Sequence, residues 1–336
     1  MRAEILATHT LQLFESAVRH AAERLRAGEV VALPTETVYG LAANALNAEA
    51  VARIFEIKGR PARNPVIVHV ASLEMARRCA KEWPEVADRF AAAFWPGPLT
   101  LVLRRAGIIP GIVTAGGDTV GIRWPSHPFI QAVIRECSFP LAAPSANLSC
   151  ELSPTTAGHV AKQLGDRIPL IVDGGAAQVG IESTVLDLSG WPPRVLRPGM
   201  IHDQSLLAVA GELAGSEAGG ETVLKSPGQL ARHYSPRARL LVLAWANDLE
   251  LRRRVAEFPV PPAQVHVIAH TRIPSGEGFG RVSVIPHDAE AFGRALYAEL
   301  HACDEAGAKW IVVEAPPEKS EWRAIADRLK RAATPP

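Results

Sequence analysis

Apolar positions along this chain fall into two rhythms: short runs that end in polar turns, and longer stretches with helical spacing. Residues 30–70, VVALPTETVYGLAANALNAEAVARIFEIKGRPARNPVIVHV, show both. An apolar run ends at Pro34-Thr35-Glu36-Thr37. A helix-period segment follows, with Val51, Ile54 and Phe55 on one face and Asn47 placed to cap it. Lys58-Gly59-Arg60-Pro61 then precedes a second apolar run that ends in His69. The predicted order is strand, polar loop, helix, cationic loop, strand. Helices are also predicted over residues 16–27 (closed by Gly28), 72–80 (capped by Ser72), 84–94, 128–136 and 155–164 (capped by Thr155). Strands are predicted over 29–33, 99–103, 120–123, 140–143, 170–172, 185–188 and 194–196. Because βα units mix with consecutive strands, a mixed rather than purely parallel sheet is expected.

After Met200 the composition shifts. A helix predicted near 204–213 leads into the Gly-rich stretch 214–221 and then the polar, Pro-bounded segment SPGQLARHYSP, residues 226–236. Strands predicted at 240–244, 265–269, 282–285 and 310–313 alternate with helices at 248–257, 289–306 and 319–331, the pattern of a small open α/β domain. No GxGxxG follows a strand there, so its likeness to nucleotide-binding sheets is one of topology. The boundaries expected are a first domain over 1–202, a linker or lid over 203–237 and a second domain over 238–336. A length of 336 residues fits two domains.

Composition narrows the function classes. Apolar residues make up 48% and charged residues 21%, ordinary for a soluble globular protein. A formal net charge of +1 offers no general nucleic-acid footprint. There is no apolar run of about 18 residues, and the N-terminus lacks the basic-then-apolar form of a signal peptide. Cys79, Cys137, Cys150 and Cys303 are scattered without a CxxC pair, which fits reduced thiols. A soluble cytoplasmic protein is the expectation.

Five polar loops follow apolar strands: PTETVYG, KGRPARN, GIRWPSHP, APSANLS and ESTVLD. One Lys-x-Arg by itself is ordinarily a solvated helix end. Five polar loops, together with Arg60, Arg123 and Arg197 and no matching acidic cluster, point to an anion site. GxxxxGK[ST] and GxSxG are both absent, which excludes a Walker loop and a serine-hydrolase elbow. His69 has no HxxxH or HExxH partner, so a structural role or a substrate hydrogen bond outranks a metal role. Glu36, Asp173 and Glu182 are carboxylates able to hold magnesium, although such loop acids are common without a metal. Phosphoryl and nucleotidyl transfer depend on positioning and charge neutralisation, which suits a site rich in Lys, Arg, Ser, Thr and Asn.

The motifs PTETVYGL (34–41), KGRPARNP (58–65), WPGPLT (95–100), GIRWPSHP (121–128), APSANLS (143–149), SPTT (153–156), DGG (173–175), GIESTV (180–185) and LRPG (196–199) closely resemble the YrdC-like family. SPGQLARHYSP resembles the interdomain segment of its long, two-domain form, while Cys150 stands where the family pattern has Gly. The resemblance implies a twisted mixed sheet with flanking helices, a linker, and a smaller open α/β, Rossmann-like domain. It also implies an activity: L-threonylcarbamoyladenylate synthase, a nucleotidyltransferase joining L-threonine, bicarbonate and ATP, with Mg2+ accompanying ATP. The product would supply downstream proteins that modify an adenosine of tRNA. Carried over residue by residue, Lys58 and Arg60 are catalytic. Lys58, Arg60, Asn64, Thr119, Ser145, Ser153, Arg197 and Tyr234 would bind ATP, and Thr35, Thr37, His69, Arg123, Ala143 and Ser183 would bind threonine. Tyr234 would make the linker a lid. Two rivals stand beside this reading: an RNA-binding module, which near-neutral charge disfavours, and another carbamoyl-handling enzyme of the same core.

Overall fold

The computed structural model describes residues 2–215 and 234–334. These divide into two compact units, one of residues 2–149 and 153–215, the other of 150–152 and 234–334.

In the first unit the elements run β1 (Glu4–Ala7), α1 (Leu11–Arg26), β2 (Val31–Leu33), β3 (Gly40–Asn44), α2 (Ala48–Lys58), β4 (Val68–His69), α3 (Leu73–Cys79), α4 (Glu85–Phe94) and β5 (Leu99–Arg104). They continue as β6 (Thr119–Arg123), α5 (Pro128–Cys137), β7 (Leu141–Ala142), α6 (Ala157–Leu164), β8 (Leu170–Asp173), β9 (Thr184–Asp187), β10 (Arg194–Arg197) and α7 (Asp203–Ala210). The strands form one mixed sheet, ordered β1-β8-β2-β3-β7-β4-β6-β5-β9-β10. The expected mixed sheet is therefore present.

Three local predictions needed correction. α1 begins at Leu11 because Thr10 accepts from the Leu13 N–H, five residues before the predicted start. The cap of α6 is Thr156, which accepts from His159, and not Thr155. β1 and β3 were not predicted. β1 is a four-residue strand at the sheet edge, half exposed, and β3 reads GLAAN, whose alanines carry no strand signature. Asn47 and Ser72 cap α2 and α3 as expected.

Two cores flank the sheet. The larger gathers residues of α2, α3, α4, α6 and α7 against Val66, Val68, Leu99, Leu101, Leu103, Val120, Ile122 and Leu186. The smaller packs α1 and α5 on Val31, Leu33, Ala42, Leu141, Leu170 and Val172, and takes nothing from β5, β6 or β9. Successive strand side chains point to opposite faces. Where β4, β6, β5 and β9 give alternate residues to the larger core, Ile67, His69, Thr100, Val102, Thr119, Gly121, Arg123, Ser183 and Val185 fall on the opposite face. Among the described residues, the smaller core does not extend over that part of the face.

The second unit is a parallel four-stranded sheet, ordered β11 (Arg239–Leu243), β14 (Trp310–Glu314), β12 (Val265–Ala269), β13 (Arg281–Val284). Its helices are α8 (Asp248–Val255), α9 (Ala289–Glu305) and α10 (Arg323–Ala332). At the carboxyl end of this sheet Glu314 accepts the consecutive backbone N–H groups of His270, Thr271 and Arg272 as well as the Thr271 hydroxyl. Among the described residues no helix is long and apolar enough to cross a membrane.

Candidate active site

Arg123 ends β6 and His69 ends β4, and the two are register partners in a parallel ladder. Their side chains therefore leave the sheet on the same face, where the 34–38 turn meets them. Arg123 Nη1 donates to Thr37 Oγ1 at 2.9 Å and Nε to the Gly97 carbonyl at 3.3 Å. Nη2 stands 2.6 Å from Glu36 Oε1, although no N–H is aligned on it as a hydrogen bond. Glu36 Oε1 also accepts from the Ser126 N–H at 3.1 Å. Thr35 Oγ1 lies 2.9 Å from Thr37 Oγ1 and donates to the Val38 carbonyl at 2.6 Å, which closes the turn on itself. Both side chains of the ion pair are 4% exposed.

Burial pushes the Glu36 carboxyl up, but the Arg123 guanidinium beside it and the hydrogen bond from the Ser126 N–H prevail and hold it below the ordinary carboxylate value. His69 moves the other way. Complete burial, reinforced by the Arg123 charge, lowers its pKa to about 3, so the imidazole is neutral at physiological pH. Its Nδ1 has no protein partner.

The cationic loop follows α2. Gly59 sits at φ 60°, a left-handed cap that returns the chain so that the Arg60 N–H reaches the Phe55 carbonyl. Lys58 Nζ donates to the Ser145 carbonyl (2.5 Å), the Asn147 carbonyl (2.6 Å) and Asn147 Oδ1 (3.1 Å). It thereby ties the 143–149 loop to the helix end. Arg60 folds over its own loop, with Nε on the Asn64 carbonyl at 2.9 Å and Nη2 on the Pro65 carbonyl at 2.6 Å. The Asn64 side chain is fully buried, and neither its Oδ1 nor its Nδ2 meets a protein partner. Ala143 is fixed by its N–H to the Ile67 carbonyl, and Ser145 bridges Gly40.

A third group lies where β9 and β10 meet. Arg197 Nε and Nη2 both donate to the Ser183 carbonyl, and Ser183 Oγ lies 2.8 Å from Thr100 Oγ1. Ser153 Oγ donates to Glu182 Oε1 at 2.6 Å. Thr119, 8% exposed, opens β6 and lines a crevice with Ile67, Thr100, Gly121 and Val185. Tyr234 belongs to the second unit. There it is buried at φ 64°, with its ring 5.9 Å from that of Tyr297 and under the Arg328 guanidinium. Residues 216–233 of the linker or lid expected over 203–237 lie outside the described residues. Cys150 has φ 70°, so it keeps the left-handed turn for which the family pattern uses Gly.

The carboxylates considered for magnesium are engaged separately. Glu36 faces Arg123, Asp173 accepts from the Gly175 N–H at 3.0 Å, and Glu182 faces Ser153. Among the described residues of the first unit, no three His, Cys, Asp or Glu side chains converge on one point. The donor set does not make a protein-held metal cage.

Two residues at this site carried no assignment in the sequence reading: Thr100, which positions Ser183, and Gly121. The signal was present, since both alternate with core residues in the same period-2 pattern as His69 and Arg123.

Residues 23–199 match the Sua5–YciO–YrdC family model, described as telomere recombination, and residues 200–334 match the model described as the threonylcarbamoyl-AMP synthase C-terminal domain. The threonylcarbamoyl-AMP synthase of Pyrococcus abyssi is 42% identical over 323 residues, covering 94% of each chain. That of Bacillus subtilis is 39% identical over 336 residues, covering 97% of this chain and 95% of its own. The crystal structure of P. abyssi Sua5 complexed with L-threonine superposes with a TM-score of 0.89 at 39% identity, over 99% of this chain and 98% of that one. The chain belongs to the Sua5–YciO–YrdC family, in the two-domain form of the threonylcarbamoyl-AMP synthases.

Proposed function

We propose that the protein makes L-threonylcarbamoyl-AMP from L-threonine, bicarbonate and ATP, releasing pyrophosphate, and so supplies the group transferred by other proteins to an adenosine of tRNA. The observation that carries this reading is a set of buried polar atoms that make no hydrogen bond within the protein: Glu36 Oε2, His69 Nδ1, the Asn64 amide, and Arg123 Nη2, which has only its ion pair with Glu36. Buried polar groups are nearly always paired, so the orphans on neighbouring residues Glu36, His69 and Arg123 mark a place for a polar ligand. Three of these residues lie at the 34–38 turn: Glu36 within it, and His69 and Arg123 at the strand ends that meet it. The relative solved with L-threonine, alike across almost the whole chain, supports threonine as that amino acid.

In this reading Arg123 receives the threonine carboxylate. Thr35, Thr37, His69, Ala143 and Ser183 bound the rest of the molecule. Lys58, Arg60, Asn64, Thr119, Ser145, Ser153, Arg197 and Tyr234 serve ATP. The threonine nitrogen bonds to the carbon of bicarbonate, or of CO2 in equilibrium with it, giving a carbamate, water and one proton released to solvent. A carbamate oxygen then attacks the α-phosphorus, and the bond from that phosphorus to the leaving pyrophosphate breaks. Arg60 and Lys58 place positive charge near the phosphates, Lys58 while holding the Ser145 loop, and no covalent enzyme intermediate forms. Magnesium arrives as MgATP, where it offsets pyrophosphate charge.

The test is to incubate the protein with ATP, bicarbonate and each amino acid in turn, following pyrophosphate and a carbamoyl-adenylate. Threonine-selective product is expected, and the Lys58→Ala/Arg60→Ala double variant should lose it while remaining folded. Near-normal turnover by that variant, or product formation without preference for threonine, refutes the assignment.

A further inference from the structure

Glu36 sits between two residues assigned to threonine, yet no substrate contact has been assigned to it. Its carboxylate is 4% exposed and held at one oxygen only. Oε1 faces Arg123 at 2.6 Å and accepts the Ser126 N–H at 3.1 Å, while Oε2 is buried without a partner. The main chain is pinned as well, because the Glu36 carbonyl accepts the Val179 N–H at 2.7 Å. The neighbouring orphan is Arg123 Nη2, a donor. A buried acceptor with no partner, beside a buried donor whose one polar contact is the Glu36 ion pair, matches the two ends of an α-amino acid.

We propose that Glu36 reads the α-nitrogen of the amino-acid substrate: Oε2 accepts an N–H from it while Arg123 Nη2 donates to the α-carboxylate. This rests on the reading of the pocket as an amino-acid site and adds to it a residue that decides which carboxylic acids enter.

Charge balance carries the argument further. The Glu36–Arg123 pair is neutral as a unit, and so is a zwitterionic amino acid. Docked head to tail, the two leave no unpaired charge in a desolvated space. A carboxylic acid without the amine would bring one net negative charge beside Glu36 with nothing to offset it. His69 adds no negative charge and, being neutral, no positive one, so Glu36 supplies the anion that faces the substrate nitrogen. The same contact persists through the reaction. A carbamate nitrogen keeps one N–H, so one fixed oxygen can hold that atom before and after its new bond to carbon forms. Anchoring at Oε1 and at the backbone gives the oxygen the fixed position that such a role needs.

The experiment compares L-threonine with 3-hydroxybutanoate, which keeps the carboxylate and the hydroxyl and lacks only the amine. Binding is measured calorimetrically in the presence of a non-hydrolysable ATP analogue, without bicarbonate. The wild type should prefer threonine by at least about tenfold, the scale of one charge-assisted hydrogen bond. In Glu36→Gln that preference should shrink several-fold, while 3-hydroxybutanoate binds as well as before or better. Equal loss of both ligands in Glu36→Gln would mean that Glu36 only orients Arg123, and overturns the proposal. Equal binding of the two ligands by the wild type also overturns it, and that comparison does not depend on how well the variant folds. Failure of the wild type to bind threonine at all removes the amino-acid-pocket reading together with this one, whereas binding without discrimination removes this one alone.

Discussion

Replacing Arg123 by Met tests the electrostatic account of the site at its centre. The change removes the cation 2.6 Å from Glu36, the donor to Thr37 and the donor to the Gly97 carbonyl. Leaving a buried partner charge uncompensated costs about 3–5 kcal/mol. At about 2–4 °C per kcal/mol for a unit of this size, the melting temperature of the first unit should fall by roughly 6–20 °C near neutral pH. The pH dependence gives a sharper check. In the wild type the folded Glu36 carboxyl lies below its reference value of 4.5, so its contribution is present above about pH 4.5 and lost as pH falls through the folded value. Without Arg123, burial dominates and the folded value rises above the unfolded one. The contribution is then present below about pH 4.5 and lost as pH rises. The stability deficit of Arg123→Met should therefore be largest near pH 8 and shrink towards pH 5. Adding Glu36→Leu, which removes the stranded charge, should recover at least about 2 kcal/mol. Urea unfolding followed by hydrogen exchange in β6 peptides reads the first unit separately. A deficit that stays constant from pH 5 to 8, with additive single and double variants, would refute the reasoning.

Gly121→Val should cost about 1–3 kcal/mol by overpacking, because even a Cβ at 121 would stand 3.2 Å from Thr100 Cγ2. It should also weaken threonine and ATP binding, and unchanged melting together with unchanged affinity would exclude a role for this crevice. His69 should stay neutral down to about pH 3, so its imidazole resonances should not titrate between pH 5 and 8; a midpoint in that window contradicts its burial beside Arg123. Glu314→Ala strips the acceptor from three consecutive N–H groups and should lower second-unit stability by about 2–4 kcal/mol without altering exchange in β6. In the wild type, burial raises the Glu314 carboxyl but its hydrogen bonds prevail, so that stability should be present above about pH 4.5 and fade below it.

Much of this was legible in the chain because local rules agreed with the tertiary outcome. Asn47, Ser72 and Gly59 are capping residues that cap, and Leu99–Arg104 and Thr119–Arg123 are strands with strand composition. β3 was missed because its Gly and Ala residues suit the crowded centre of a sheet, where space outweighs propensity. The site residues were found as types and loops, but their grouping was not. Nothing in Lys58-Gly59-Arg60 foretells that the ammonium turns to the carbonyls of residues 145 and 147, or that Arg60 closes on its own loop. Those choices depend on contacts distant in sequence. The Glu36–Arg123 pair, 2.6 Å apart across a sheet, belongs to the same class.

In β4, β6, β5 and β9 consecutive residues serve different masters: Val68 and Ile122 the core, His69 and Arg123 the opposite face, where the proposed threonine site lies. A side-chain period of two makes these strands intolerant of length change. One inserted or deleted residue would send the guanidinium of Arg123 into the apolar layer and an isoleucine towards the substrate. Exchange of one residue for another at positions 67, 100, 102, 121 and 185, which touch the crevice, leaves the register intact and confines its cost to local packing. A change of length is therefore tolerable only in the loops between these strands, while a change of residue type along them keeps the two faces apart.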